Sequence, residues 1–94
     1  MASQAIAEDQ NDPVLFCGSM GELAEAVMTV RQSGVAMSKA MGIAANNETL
    51  RDVATKLIIA AYDTPQFSVD ENRQDAATRF RNEFEVECFK DLIE

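Results

Sequence analysis

Between Glu48 and Tyr62 the apolar residues Leu50, Val53, Ala54, Leu57, Ile58 and Ala61 recur three and four places apart. That interval gathers side chains on one face of an α-helix, whereas a half-buried strand needs alternation at every second residue. No stretch of the chain sustains such alternation, so an all-α fold is expected. Ile59 and Ala60 make the last turns of this segment apolar almost all round, which predicts that it is the most buried helix. Asp52 and Lys56 stand four apart on its polar side, the spacing of a helix ion pair.

Three more helices follow from local signals. Ser19-Met20-Gly21-Glu22 fits a capping box, and Leu23, Ala26, Val27 and Val30 then keep a helical interval as far as Ser33-Gly34, predicting a helix over about 20–33. Val35, Met37, Met41 and Ile43 predict a short one over about 35–45, weakened by Gly42, and Asn46-Asn47 introduces the helix of about 48–62. Asp63-Thr64-Pro65 ends that helix, because a residue before proline is pushed out of the helical region. Ser68-Val69-Asp70-Glu71 fits a second capping box and opens a helix of about 69–92, whose Ala77, Phe80, Phe84, Cys88 and Leu92 share one side. The expectation is four helices packed roughly antiparallel through short connections.

The chain has 94 residues, room for one core and not two. Residues 1–13 are polar and end in the turn signal Asn11-Asp12-Pro13, so they are expected to form a loose arm before a single domain over 14–94. Hydrophobic residues make up 47% and charged ones 26%, which suits a globular fold.

Charge and composition narrow the function. Sixteen acids against eight bases give a net charge of −8. Such an excess repels nucleic-acid phosphate and anionic lipid, so neither is expected as a partner. No apolar run approaches the roughly eighteen residues of a membrane span, so no membrane insertion is expected. The chain has no histidine, which removes the commonest general base near neutral pH and the commonest transition-metal ligand. No nucleophile stands beside a visible base and no carboxylate pair is singled out, so neither an enzyme nor a bound cofactor is expected.

Cys17 and Cys88 are 71 positions apart, unlike a closely spaced redox or zinc motif. Joined, they close a loop for which chain entropy predicts about 4 kcal/mol of stabilisation. Two buried free thiols in a cytosolic protein are the alternative. Ala2-Ser3-Gln4-Ala5 puts small residues where a signal peptide would end, which favours a periplasmic or secreted protein with Met1 added; a polar tail on a cytoplasmic protein is the other reading.

Several residues stand out for function. Glu83, Glu87 and Asp91, with Glu94, fall on one stripe near the end of the last helix, where acids oppose the helix dipole and repel one another at i,i+4. A local rule broken without compensation marks a candidate face for a basic partner; a solvated surface is the bland reading. Arg81 lies in the apolar arc of the same helix and requires a carboxylate or carbonyl partner. Arg31 and Gln32 are suited to capping carbonyls, and Tyr62 and Phe67 to pinning the turn around Pro65. Met20, Met28, Met37 and Met41 are core filling, or else the face of a homodimer.

The segments Cys17, Glu22-Leu23-Ala24, Arg31-Gln32-Ser33-Gly34, Ala60-Ala61-Tyr62-Asp63-Thr64-Pro65, Phe80-Arg81-Asn82-Glu83 and Cys88 resemble those of small exported helical proteins of bacteria and their phages, most of them unassigned in function. The likeness spans about residues 14–90. It implies an exported helical domain with Cys17 joined to Cys88, and no catalytic residues. In layout the chain is also similar to periplasmic immunity proteins and acid-stress chaperones. The leading expectation is a small acidic binding protein, of inhibitor or immunity type, with a basic protein partner. The alternatives are a periplasmic acid-stress chaperone, with pH-driven loss of negative charge as its switch, and a scaffold subunit of a homo-oligomer.

Overall fold

A computed structural model describes residues 12–93 and contains, among them, four α-helices and no strand: α1 (Pro13–Gln32), α2 (Met37–Ala45), α3 (Arg51–Tyr62) and α4 (Asp70–Ile93). Apart from Asp12 and Pro13, the expected arm lies outside the described residues, as does Glu94.

Helix α1 starts seven residues earlier than its periodicity suggested. The Asp12 side chain accepts from the amides of Val14, at 2.9 Å, and Leu15, at 3.4 Å. Pro13 fills the first helical position, where its missing N–H costs nothing. Asp-Pro thus acts as a cap and first residue rather than as a turn, and Ser19–Glu22 lies inside the helix instead of opening it. The predicted stop holds: Gly34 has φ 84°, a left-handed conformation suited to glycine.

The other starts shift by less. Ala36 is extended and delays α2 to Met37. Asn47 accepts from the Leu50 amide at 3.1 Å and shapes the turn before α3, which begins at Arg51. The Val69 carbonyl accepts from the Arg73 amide at 3.0 Å, so Val69 takes the cap position and Ser68 is one place out of frame for its predicted box. Asp70 and Glu71 do occupy the first turn of α4, at the positive end of its dipole.

Helices α1 and α4 form the principal pair, α3 packs on α1, and α2 packs on α3. The pair is antiparallel: Cys17 near the start of α1 is bonded to Cys88 near the end of α4, with alpha carbons 5.6 Å apart. At the opposite end, the Gln32 side chain meets the backbone of Phe67 just before α4. The buried row of α1 is Cys17, Gly21, Ala24, Met28 and Gln32. Small residues there let the two backbones approach closely. One core contains Ala24, Met28, Leu57, Ala61, Ala76, Ala77 and Phe80; a second joins Ala40, Ala44, Ala54 and Ile58, and Val27 and Tyr62 pack against both.

The expected stripe Leu23, Val27 and Val30 is only half-buried and Ala26 is exposed. Helix α3 has the largest buried share of the four, as expected, with Ala54, Leu57, Ile58 and Ala61 buried, although Ile59 is 50% exposed. Asp52 and Lys56 do not close into an ion pair. Leu92 also leaves the core and is 48% exposed, as Val14, Leu15 and Phe16 in the first turn of α1 are exposed at the same end of the helix pair. By length and composition alone, α1 is apolar enough to cross a membrane, with a mean hydropathy of 1.2, contrary to the sequence expectation. Only 28% of that apolar stretch is buried within the fold.

Candidate functional site

Glu83, Glu87 and Asp91 follow one another at i,i+4 on α4 and all three are exposed. None of them takes part in an ion pair among the described residues. Glu83 and Glu87 rim a groove of about 480 Å³ between the end of α3 and the middle of α4, with Ala60, Phe80, Phe84 and Val86 among its walls. Its floor owes its shape to Phe80 and Phe84, whose rings meet edge to face at 4.8 Å. Thr64, Phe80 and Glu83 also border an adjoining hollow that continues along α4 towards Asn72 and Arg79. Asp91 lies one turn beyond Glu87 and does not line the groove. The acidic stripe is therefore divided: two acids edge an apolar surface and the third stands apart.

The remaining residues singled out by sequence are engaged within the fold. The Arg81 guanidinium donates to Glu85 at 2.7 Å along α4 and to Glu25 at 2.8 Å across to α1. Its hydrogen bonds to Glu85 first, then to Glu25, raise the Arg81 pKa above its ordinary value. Glu85 can lie across α1 because Gly21 has no side chain at that point.

A second polar cluster closes the opposite end. Arg31 donates to the Thr64 carbonyl at 2.9 Å and places its guanidinium 5.0 Å from the centre of the Tyr62 ring. The Tyr62 hydroxyl donates to the Val35 carbonyl at 2.6 Å. Gln32, 2% exposed, donates to the Pro65 carbonyl at 2.9 Å and accepts from the Phe67 amide at 2.8 Å. Arg31, Tyr62 and the backbone of Pro65 thus belong to a clamp that fixes the α3–α4 turn against α1. Local spacing suits Gln32 to carbonyls; its burial and its grip on two backbone groups follow from α1 and the turn meeting in space. Of the methionines, Met28 is fully buried, Met20 and Met41 are half-buried and Met37 is 38% exposed. Among the described residues, no group of three or more cysteines, aspartates or glutamates is arranged to hold a metal ion.

Comparison with protein-family models, with curated proteins and with solved structures gives no match.

Proposed function

We propose that the protein is a small, non-enzymatic binding protein of inhibitor or immunity type, which takes a basic protein partner on the groove of α4. The observation that carries this reading is the conjunction of Glu83 and Glu87, neither held in an ion pair among the described residues, with the apolar Ala60, Phe80, Phe84 and Val86 that line the same groove. In such an interface the apolar floor supplies affinity, while opposite potentials accelerate encounter and orient the partner. The Cys17–Cys88 bond is compatible with an oxidising compartment. The periplasm or the exterior of a bacterial cell is the compartment this reading assigns.

The test is capture from an extract of the source cell by the immobilised protein at low and moderate salt. Reversing Glu83, Glu87 and Asp91 to lysine should abolish capture. Reversing three exposed acids elsewhere, Glu22, Glu48 and Asp52, changes net charge equally and should leave most of it. Equal effects of the two triple variants would remove the groove from consideration and leave only a bulk charge effect.

A further inference from the structure

We infer that the element a partner inserts is a basic amphipathic α-helix, laid lengthwise in the furrow between α4 and the end of α3 with the turn that follows it. The inference rests on the reading of the α4 groove as a protein interface. Both α3 and α4 pack on α1, but their backbones make little direct contact with each other. Leu57 and Ala61 of α3 share a buried cluster with Ala76, Ala77 and Phe80 of α4, which closes the base of the gap. Along it lie two hollows of about 370 and 480 Å³ that have Thr64, Phe80 and Glu83 in common, so they form one furrow. Its lining on α4 runs from Asn72 to Glu87, about four helical turns or about 22 Å.

The sequence of α4 builds this furrow from two rows at i,i+4. Ala76, Phe80 and Phe84 form the floor, the first two buried and the third half-buried. Asp75, Arg79, Glu83 and Glu87 form the rim, and all four are exposed. Rows at this interval are the ridges between which the side chains of another helix interdigitate. Three acids and one base leave the rim with two net negative charges, and none of the four is in an ion pair among the described residues. These charges line the furrow themselves, so an apolar ridge flanked by lysine or arginine complements it. The backbone of the occupant is selected as well. The described residues contain no strand, so an extended segment would find no sheet edge with which to pair its amides and carbonyls. A helix satisfies those groups internally and presents only side chains.

The test titrates three synthetic peptides of about fifteen residues, long enough to span the furrow as a helix, into the full chain and follows its backbone amides by NMR. Two peptides have the same composition of leucine and lysine, one with leucines at helical intervals and the other with the two residues alternating. The third keeps the helical interval with glutamate in place of lysine. The first should produce saturable shifts centred on Thr64, Ala76, Phe80, Phe84 and Val86. Its alternating isomer, equal in charge and apolar content, should bind at least about tenfold more weakly, and the glutamate peptide should not bind. The double variant E83K/E87K, changed only at exposed positions, should keep the amide spectrum of the folded protein and weaken the first peptide about tenfold. The control E48K/D52K, also at exposed positions, should change its binding by about twofold or less. Absence of saturable shifts, shifts centred on Leu23, Val27 and Ile43, or equal effects of the two double variants would each overturn the inference. If the isomers bind equally while capture from cell extract still requires Glu83 and Glu87, the helical occupant is wrong and the interface reading stands. If the helical peptide seats in the furrow but capture ignores those two charges, the interface reading fails and takes the partner helix with it.

Discussion

Glu85 of α4 lies directly over Gly21 of α1, so that a Cβ added at Gly21 would collide with the carboxylate, with Cγ and Cδ only 2.7 and 2.8 Å away. The glycine is therefore the space in which a charged side chain of α4 lies against α1 while it accepts from Arg81 of its own helix. Removing that space should be costly only while Glu85 is present. G21A is expected to lower stability by about 1 kcal/mol, because the crowding penalty exceeds the gain in helix propensity. In an E85A background the same change should become stabilising by about 0.5–1 kcal/mol. Urea unfolding of the four proteins in the cycle measures the reversal; additive effects would show that the two positions are not coupled.

The link between Cys17 and Cys88 holds the ends of α1 and α4 together where α2 and α3 do not cover them. Replacing both cysteines by serine is expected to cost about 4 kcal/mol, from a loop of 71 residues released in the unfolded chain. Intact mass should rise by about two units on reduction, as two sulfurs each take up a hydrogen. Hydrogen exchange should then accelerate first in residues 13–20 and 85–93. Uniform acceleration across the whole chain would mean that the bond stabilises the fold without tying this end in particular.

Gln32 satisfies two backbone groups of the α3–α4 turn from a position 2% exposed. Q32A leaves the Pro65 carbonyl and the Phe67 amide without their partners and should cost about 2–3 kcal/mol. Q32E keeps an acceptor for the Phe67 amide but turns a carboxylate oxygen towards the Pro65 carbonyl, so it should be no milder. Thermal unfolding gives the cost, and exchange of the Phe67 amide reports whether the turn itself has loosened.

Helical periodicity alone made the four-helix class legible, and the partnership of the cysteines was among the readings open to it. Positions set by contact between distant segments were not. The buried row of α1 runs through Gly21 and Gln32, which no hydropathy pattern marks as core, while the more conspicuous Leu23, Val27 and Val30 face a cleft. The start of α1 was hidden because Asp12-Pro13 serves equally as a turn signal and as a helix cap, and only the fold decides between them. At the candidate site, the stripe of Glu83, Glu87 and Asp91 was visible at 100° per residue, but its division was not. Which acids border an apolar groove depends on where α3 ends, and that is fixed by the clamp of Arg31, Gln32 and Tyr62.

That division makes a prediction within the proposed interface. Glu83 and Glu87 border Phe80, Phe84 and Val86, so a partner seated on those side chains brings its cations close to both carboxylates and partly excludes water between them. Asp91 stays in solvent, where a charge contributes mainly to long-range attraction and is screened beyond about 8 Å at physiological salt. With the captured partner purified, E83Q and E87Q should each increase the dissociation rate, and their effects should persist at moderate salt. D91N should lower the association rate at low salt, by about threefold or less, and become silent as salt is raised. Stopped-flow association and dissociation traces for the three variants separate these behaviours. If all three alter only association and converge at high salt, the groove is not the contact surface and α4 acts solely as a steering field.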